Sequence, residues 1–242
     1  MNENNLIIEE RLSIPKIMVL GLMPGLIMLF LVFIFSSPIF GINFSVYLSI
    51  MLSIVFGLIP IQLGILKFIA WKGNKKIKDL ILYKNKTPMI KLILSIIIPM
   101  VIAIIVFVFI KPLELKLWEN SKFLPYLFKI EDTNFQEIGL LKLTIILSLI
   151  FNGFLGPIVE EIYFRGYLLP RMGIFGKFAP LINSIIFSLY HLFSPRQNIT
   201  RIIGITPMVY STWINKDIKI PIIVHCSLNF LGDIGLLMLL FT

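Results

Sequence analysis

No aspartate, glutamate, lysine or arginine occurs from Ile17 to Leu66, from Leu92 to Ile110, from Leu143 to Val159, or from Phe178 to Pro195. Each of these stretches is close to or longer than the roughly 20 apolar residues that cross a bilayer as a helix. A soluble globule is thereby excluded. With 57% hydrophobic and 14% charged residues in a chain of 242, there is too little polar side chain to cover a water-exposed surface. The expected fold is all-α, a polytopic transmembrane helical bundle with seven or eight spans.

The first charge-free stretch is too long for one helix. Ser36, Ser37, Pro38, Gly41 and Asn43 interrupt it where a turn is needed. The expected spans are Ile17 to Phe35, Phe44 to Ala70, Ile90 to Ile110, Ile138 to Leu155, Phe178 to Phe193, Ile202 to Ile214 and Ile218 to Phe241. Gly156 and Pro157 are expected to break the fourth, leaving Ile158 to Met172 as a separate helical segment that crosses, re-enters or continues. Lys111 to Glu137 mixes both signs in a loop long enough for a surface helix. No internal repeat or polar linker divides the chain, so residues 1–242 are expected to form a single membrane domain, with the chemistry in the half at 138–242.

The formal charge of +9 reflects topology more simply than a nucleic-acid partner. Lys72, Lys75, Lys76, Lys78, Lys84, Lys86 and Lys91 surround a lone Asp79, the bias of a cytoplasmic loop. Cys226 is the only cysteine, so neither an intrachain disulfide nor a cysteine-based zinc site is expected. The N-terminal segment, mixed in charge and followed by a long apolar run, does not read as a removable signal peptide.

Ionisable residues at membrane depth cost about 2.5–3.5 kcal/mol each and mark function by default. The first 110 residues place no acid or histidine inside an apolar span, whereas the last 90 hold Glu160, Glu161, Arg165, His191, His225, Asn229 and Asp233. Glu161 and Arg165 are four apart, one helical turn, and in the favourable acid-first order. Their simplest role is an ion pair holding the segment. Glu160 points about 100° away and is the less neutralised carboxylate. His225 and Asn229 also share a face, as a donor pair or as helix–helix glue. Asp233 continues that face, near the helix end. Phe187, one turn before His191, reads as packing, and Cys226 as a small apolar filler.

Three patterns stand in order: Glu160-Glu161-Ile162-Tyr163-Phe164-Arg165-Gly166, Phe187-x-x-x-His191 and His225-x-x-x-Asn229. Together they resemble the intramembrane CAAX-protease and bacteriocin-processing family, whose best-known branch is the type II CAAX prenyl endopeptidase. The resemblance spans about Pro157 to Phe230. It implies a helical membrane protease in which Glu160 and His191 activate water, His225 and Asn229 stabilise the oxyanion, and Glu161 with Arg165 support the site. No cofactor is then required. The rival chemistry is a catalytic zinc held by Glu160, His191 and His225.

The function expected is intramembrane endopeptidase action on membrane-associated peptides or proteins. The alternative is bacteriocin self-immunity or peptide binding without essential catalysis, and a proton or ion relay is a third reading. Expected partners are a peptide or protein substrate and the lipid bilayer, with no nucleic acid; the sequence leaves oligomeric state open. Heavy use of Ile, Lys and Asn points to an AT-rich genome, and the expected location is a bacterial cell membrane.

Overall fold

A computed structural model describes residues 11–37, 44–119 and 138–238. Its elements are helical, and among the described residues the sole β-type pairing is an isolated bridge between Lys84 and Asp217. We label the helices α1 (Ile14–Ser36), α2 (Val46–Lys72), α3 (Ile77–Leu80), α4 (Met89–Glu119), α5 (residues 138–171), α6 (Ala179–Tyr190), α7 (Asn198–Asn215) and α8 (Lys219–Met238). Among the described residues, five helices are long and apolar enough to cross a membrane: Ile14–Ser36, Val46–Lys72, Met89–Trp118, Leu141–Arg171 and Gly173–Tyr190. The helical-bundle expectation stands at that level. Large apolar side chains such as Phe30, Phe109 and Ile90 point outward, a surface suited to acyl chains and ruinous in water.

The fourth helix differs from its expected form. It passes through Gly156 and Pro157 without a break and ends only at Arg171. The physical reason is a π-helical stretch, Ser148–Leu155, directly upstream, in which the Gly156 N–H bonds Phe151 O, five residues back. The widened turn makes room for a proline ring that an ideal α-helix would reject. The same device appears in α2, where the π-helical turn Ile54–Leu58 precedes Pro60. α4 also runs past its expected end at Ile110 to Glu119 and takes Pro112 inside it. The remainder of the expected loop, residues 120–137, lies outside the described residues, as does the end of the last expected span beyond Met238.

One end of the molecule gathers the basic loops. Leu12 N–H donates to Arg171 O, Leu82 N–H to Gly166 O, Asn85 N–H to Lys216 O and Ile218 N–H to Tyr83 O. The start of α1, the lysine-rich segment between α2 and α4, the end of α5 and the α7–α8 turn therefore meet there. The Arg171 guanidinium reinforces that end by donating to Leu80 O and Tyr167 O at 2.9 and 2.8 Å. α7 packs against α4 and α6, while α8 lies along α5 and α4. The carboxyl pair Glu160 and Glu161 sits about 16 Å along α5 from its Arg171 end, at bilayer depth.

α1 and α6 approach each other closely at Gly25. A methyl group built on Gly25 would fall 2.0 Å from Tyr190 O, the carbonyl just before His191. Only glycine allows that approach, and it fixes the end of α6 against α1.

Candidate active site

α5 presents consecutive carboxylates to two different environments, as 100° per residue requires. Glu161 turns inward. Its Oε1 lies 3.1 Å from Arg165 Nη1 and both side chains are fully buried. The same oxygen accepts a 2.7 Å hydrogen bond from His225 Nδ1. The expected ion pair thus exists and does more than hold the segment, because it also orients an imidazole brought in by α8. The Arg165 guanidinium stacks 4.0 Å above the Phe187 ring, a cation–π contact that helps shelter a charge buried in the bundle.

Glu160 turns toward a cavity of about 600 Å³. His191 Nε2 lies 3.8 Å from its Oε1 and His225 Nε2 lies 3.9 Å from its Oε2. Oε1 is buried without a hydrogen-bond partner in the protein. α6 ends at Tyr190, and His191 follows it with ψ near 53°. His191 Nδ1 meets Phe187 O at 2.7 Å. A carbonyl oxygen only accepts, so Nδ1 carries the proton and Nε2 turns its lone pair to Glu160. Phe187, read from sequence as packing, wedges between Arg165 and both imidazoles, with ring-centre separations of 4.8 Å to His191 and 5.8 Å to His225.

Asn229 lines the same cavity one turn beyond His225, and its Nδ2 donates to Asn152 O at 2.9 Å. A second N–H remains on that amide. Behind it lies a polar network that sequence reasoning did not foresee. Asn152 Nδ2 donates to Asp233 Oδ1 at 3.1 Å, Ser148 Oγ donates to the same oxygen, and Tyr47 Oη shares a 2.9 Å hydrogen bond with Ser148 Oγ. Asp233 is therefore a buried anchor for α5 and α2, not a helix-end residue. Also unforeseen are Tyr190, whose hydroxyl is buried within electrostatic reach of Glu160, and Arg201, on the cavity wall. Cys226 is buried beside Phe154 O, in keeping with a filler.

The four residues singled out for chemistry, Glu160, His191, His225 and Asn229, come from three helices separated in sequence and line one cavity. Among the described residues, no group of three His, Cys, Asp or Glu side chains is arranged to hold a metal ion.

Fold and cavity together define a helical membrane protein with a carboxylate–imidazole cluster at membrane depth. The family model described as "Type II CAAX prenyl endopeptidase Rce1-like" matches residues 142–231, and that match supports the CAAX-protease family for the chain. That segment contains all three patterns and ends two residues before Asp233. The match supports a protease, hence a hydrolase. No curated protein and no solved structure matches the chain.

Proposed function

We propose that the chain is an intramembrane endopeptidase that hydrolyses peptide bonds of membrane-associated peptides or proteins, with water activated by Glu160 and His191. The observation that carries this reading is the pair of Nε2 atoms facing the two oxygens of Glu160 at 3.8 and 3.9 Å. Those separations are too long for direct hydrogen bonds and suit one bridging water. Such a water gives one hydrogen to Glu160 and the other to His191 Nε2, leaving an oxygen lone pair for the scissile carbonyl carbon. As the C–O bond forms, Glu160 takes the proton, which then passes to the departing amine nitrogen as the C–N bond breaks.

Asn229 donates its remaining amide hydrogen to the oxyanion. His225, held through Nδ1 by Glu161, turns Nε2 to the same place and donates from it when that nitrogen carries a proton. Arg165 holds Glu161 in place in turn. Replacing Glu160 by Gln preserves volume and removes the base, so cleavage of membrane-tethered reporter peptides should fall by about 10²–10⁴-fold at unchanged membrane abundance. Full biological activity in that variant would instead favour a peptide-binding role without essential catalysis. The family match itself lends no support to bacteriocin immunity.

Glu160, His191 and His225 are also the donor types that zinc takes, and Nδ1 of each imidazole is already oriented by an oxygen. The water mechanism predicts that cleavage survives exhaustive chelation. Activity lost with stoichiometric zinc and restored by its return would overturn it.

A further inference from the structure

We infer that Arg201 forms a subsite for a single carboxylate of the peptide substrate. This rests on the endopeptidase reading and deepens it, since it names a chemical feature of what is cleaved. Among the described residues lining the cavity, Arg201 is the one lysine or arginine. It is braced on the turn that carries His191. Its Nη1 donates to Asn198 Oδ1 at 3.0 Å and to Ser188 O at 3.4 Å, and its Nη2 donates to Ser194 Oγ at 2.8 Å. Ser194 N–H in turn donates to His191 O at 2.9 Å.

All of these partners are neutral oxygens. Two acids send charge to Arg201: Glu160 acts without a direct bond to it, and Glu114 gives both carboxylate oxygens to the amides of Ile199 and Thr200 at 2.9 and 2.7 Å. Glu114 thus caps the start of α7 and does not form an ion pair with the guanidinium. A cation at membrane depth without a bonded anion is costly, and its planar fork matches a carboxylate. One positive charge balances a monoanion, which favours a carboxylate over a phosphate dianion. Gln197 lines the same cavity and carries an amide donor. The carboxylate is either the free C-terminus of a short peptide or an acidic side chain near the scissile bond.

The test is binding, so that it stands apart from cleavage. Full-length Glu160→Gln protein in nanodiscs is titrated with fluorescent peptides of mixed apolar sequence in four forms. These are free C-terminal acid, C-terminal amide, amide with one internal Glu, and amide with that Glu as Gln. Dissociation constants are measured by anisotropy, in this background and after adding Arg201→Gln or Arg201→Lys.

We expect one carboxylate-bearing form to bind about tenfold or more tightly than its neutral counterpart. That preference should vanish with Arg201→Gln and return in part with Arg201→Lys, and the form that shows it identifies the source. A preference unchanged by Arg201→Gln, equal binding of all four forms, or no binding of any would overturn the subsite. Carboxylate-dependent binding to a protein whose Glu160 form cleaves none of the peptides would leave the subsite standing and sink the endopeptidase reading.

Discussion

Asn229 depends on a residue that touches no cavity chemistry. Its amide is held by Asn152 O, and the Asn152 side chain is held by Asp233, which also accepts from Ser148. Asn229→Ala should lower kcat by about 10²–10³-fold, the usual loss for an oxyanion donor. Asp233→Ala should act through position, lowering kcat less and also lowering thermal stability, because it takes the buried acceptor from the Ser148 hydroxyl and the Asn152 amide at about 1–3 kcal/mol. Equal losses in both variants with no change in melting temperature would refute that division. The candidate quartet that lines the cavity was legible because one-turn spacings and intramembrane cost can be read from a string of letters. The Asp233 network was not, since it joins α8 to α5 and α5 to α2, and only tertiary packing brings Tyr47 within reach of Ser148. Arg201 was hidden for another reason. It lies just before the apolar run beginning at Ile202, where an arginine reads as a membrane boundary.

At the scale of elements, hydropathy located the helices and failed at prolines. Gly156 and Pro157 spell a break only if the helix stays strictly α, and the π-helical stretch Ser148–Leu155 removes that condition. The consequence bears on the site, because one continuous helix carries Glu160, Glu161 and Arg165 even though Ile162–Leu168 is again π-helical. Contact between helices was equally invisible. Gly25 lies in a featureless apolar run, yet its missing side chain is the space that Tyr190 O occupies. Gly25→Ala should push α6 from α1, displace His191 and reduce both cleavage and thermal stability, while Gly64→Ala, at a site with open space, should do neither. A Gly25→Ala protein with unaltered cleavage would show that this approach does not position the histidine.

The loop joining α7 to α8 offers a separate check at this scale. Burial of Asp217 works to raise its carboxyl pKa, but the amides of Thr87 and Lys219, with the Lys219 ammonium, outweigh it and hold the carboxyl below its ordinary value of 3.8. A group depressed on folding contributes stability above its unfolded value and loses it as pH falls through the folded one. Asp217→Asn should therefore lower stability by about 2 kcal/mol at neutral pH. The difference from the parent protein should shrink below pH 3.8, measured by thermal unfolding in detergent. A gap that widens on acidification would contradict the sign.

For the whole molecule, the decisive consequence of an unbroken α5 is topological. A separate crossing by Ile158 to Met172 would have reversed every later helix. Instead α5 ends where α1 begins and where the lysine-rich segment lies, as the bond from Leu12 N–H to Arg171 O requires. α6 then starts from the basic end, α7 returns to it and α8 leaves it again. This arrangement places the turn after α1 and the Ser194 turn before α7 at the far end, and excess lysine predicts that the near end is cytoplasmic. Cys226 is the only native cysteine and is buried, so labelling can be read against a quiet background. Lys76→Cys, in the exposed lysine-rich segment, should react with an impermeant maleimide only after the membrane is opened. Ser37→Cys, just past α1, should react in intact cells. Labelling of both from one side would require a different course for α1 and α2 and would undo the depth assigned to Glu160.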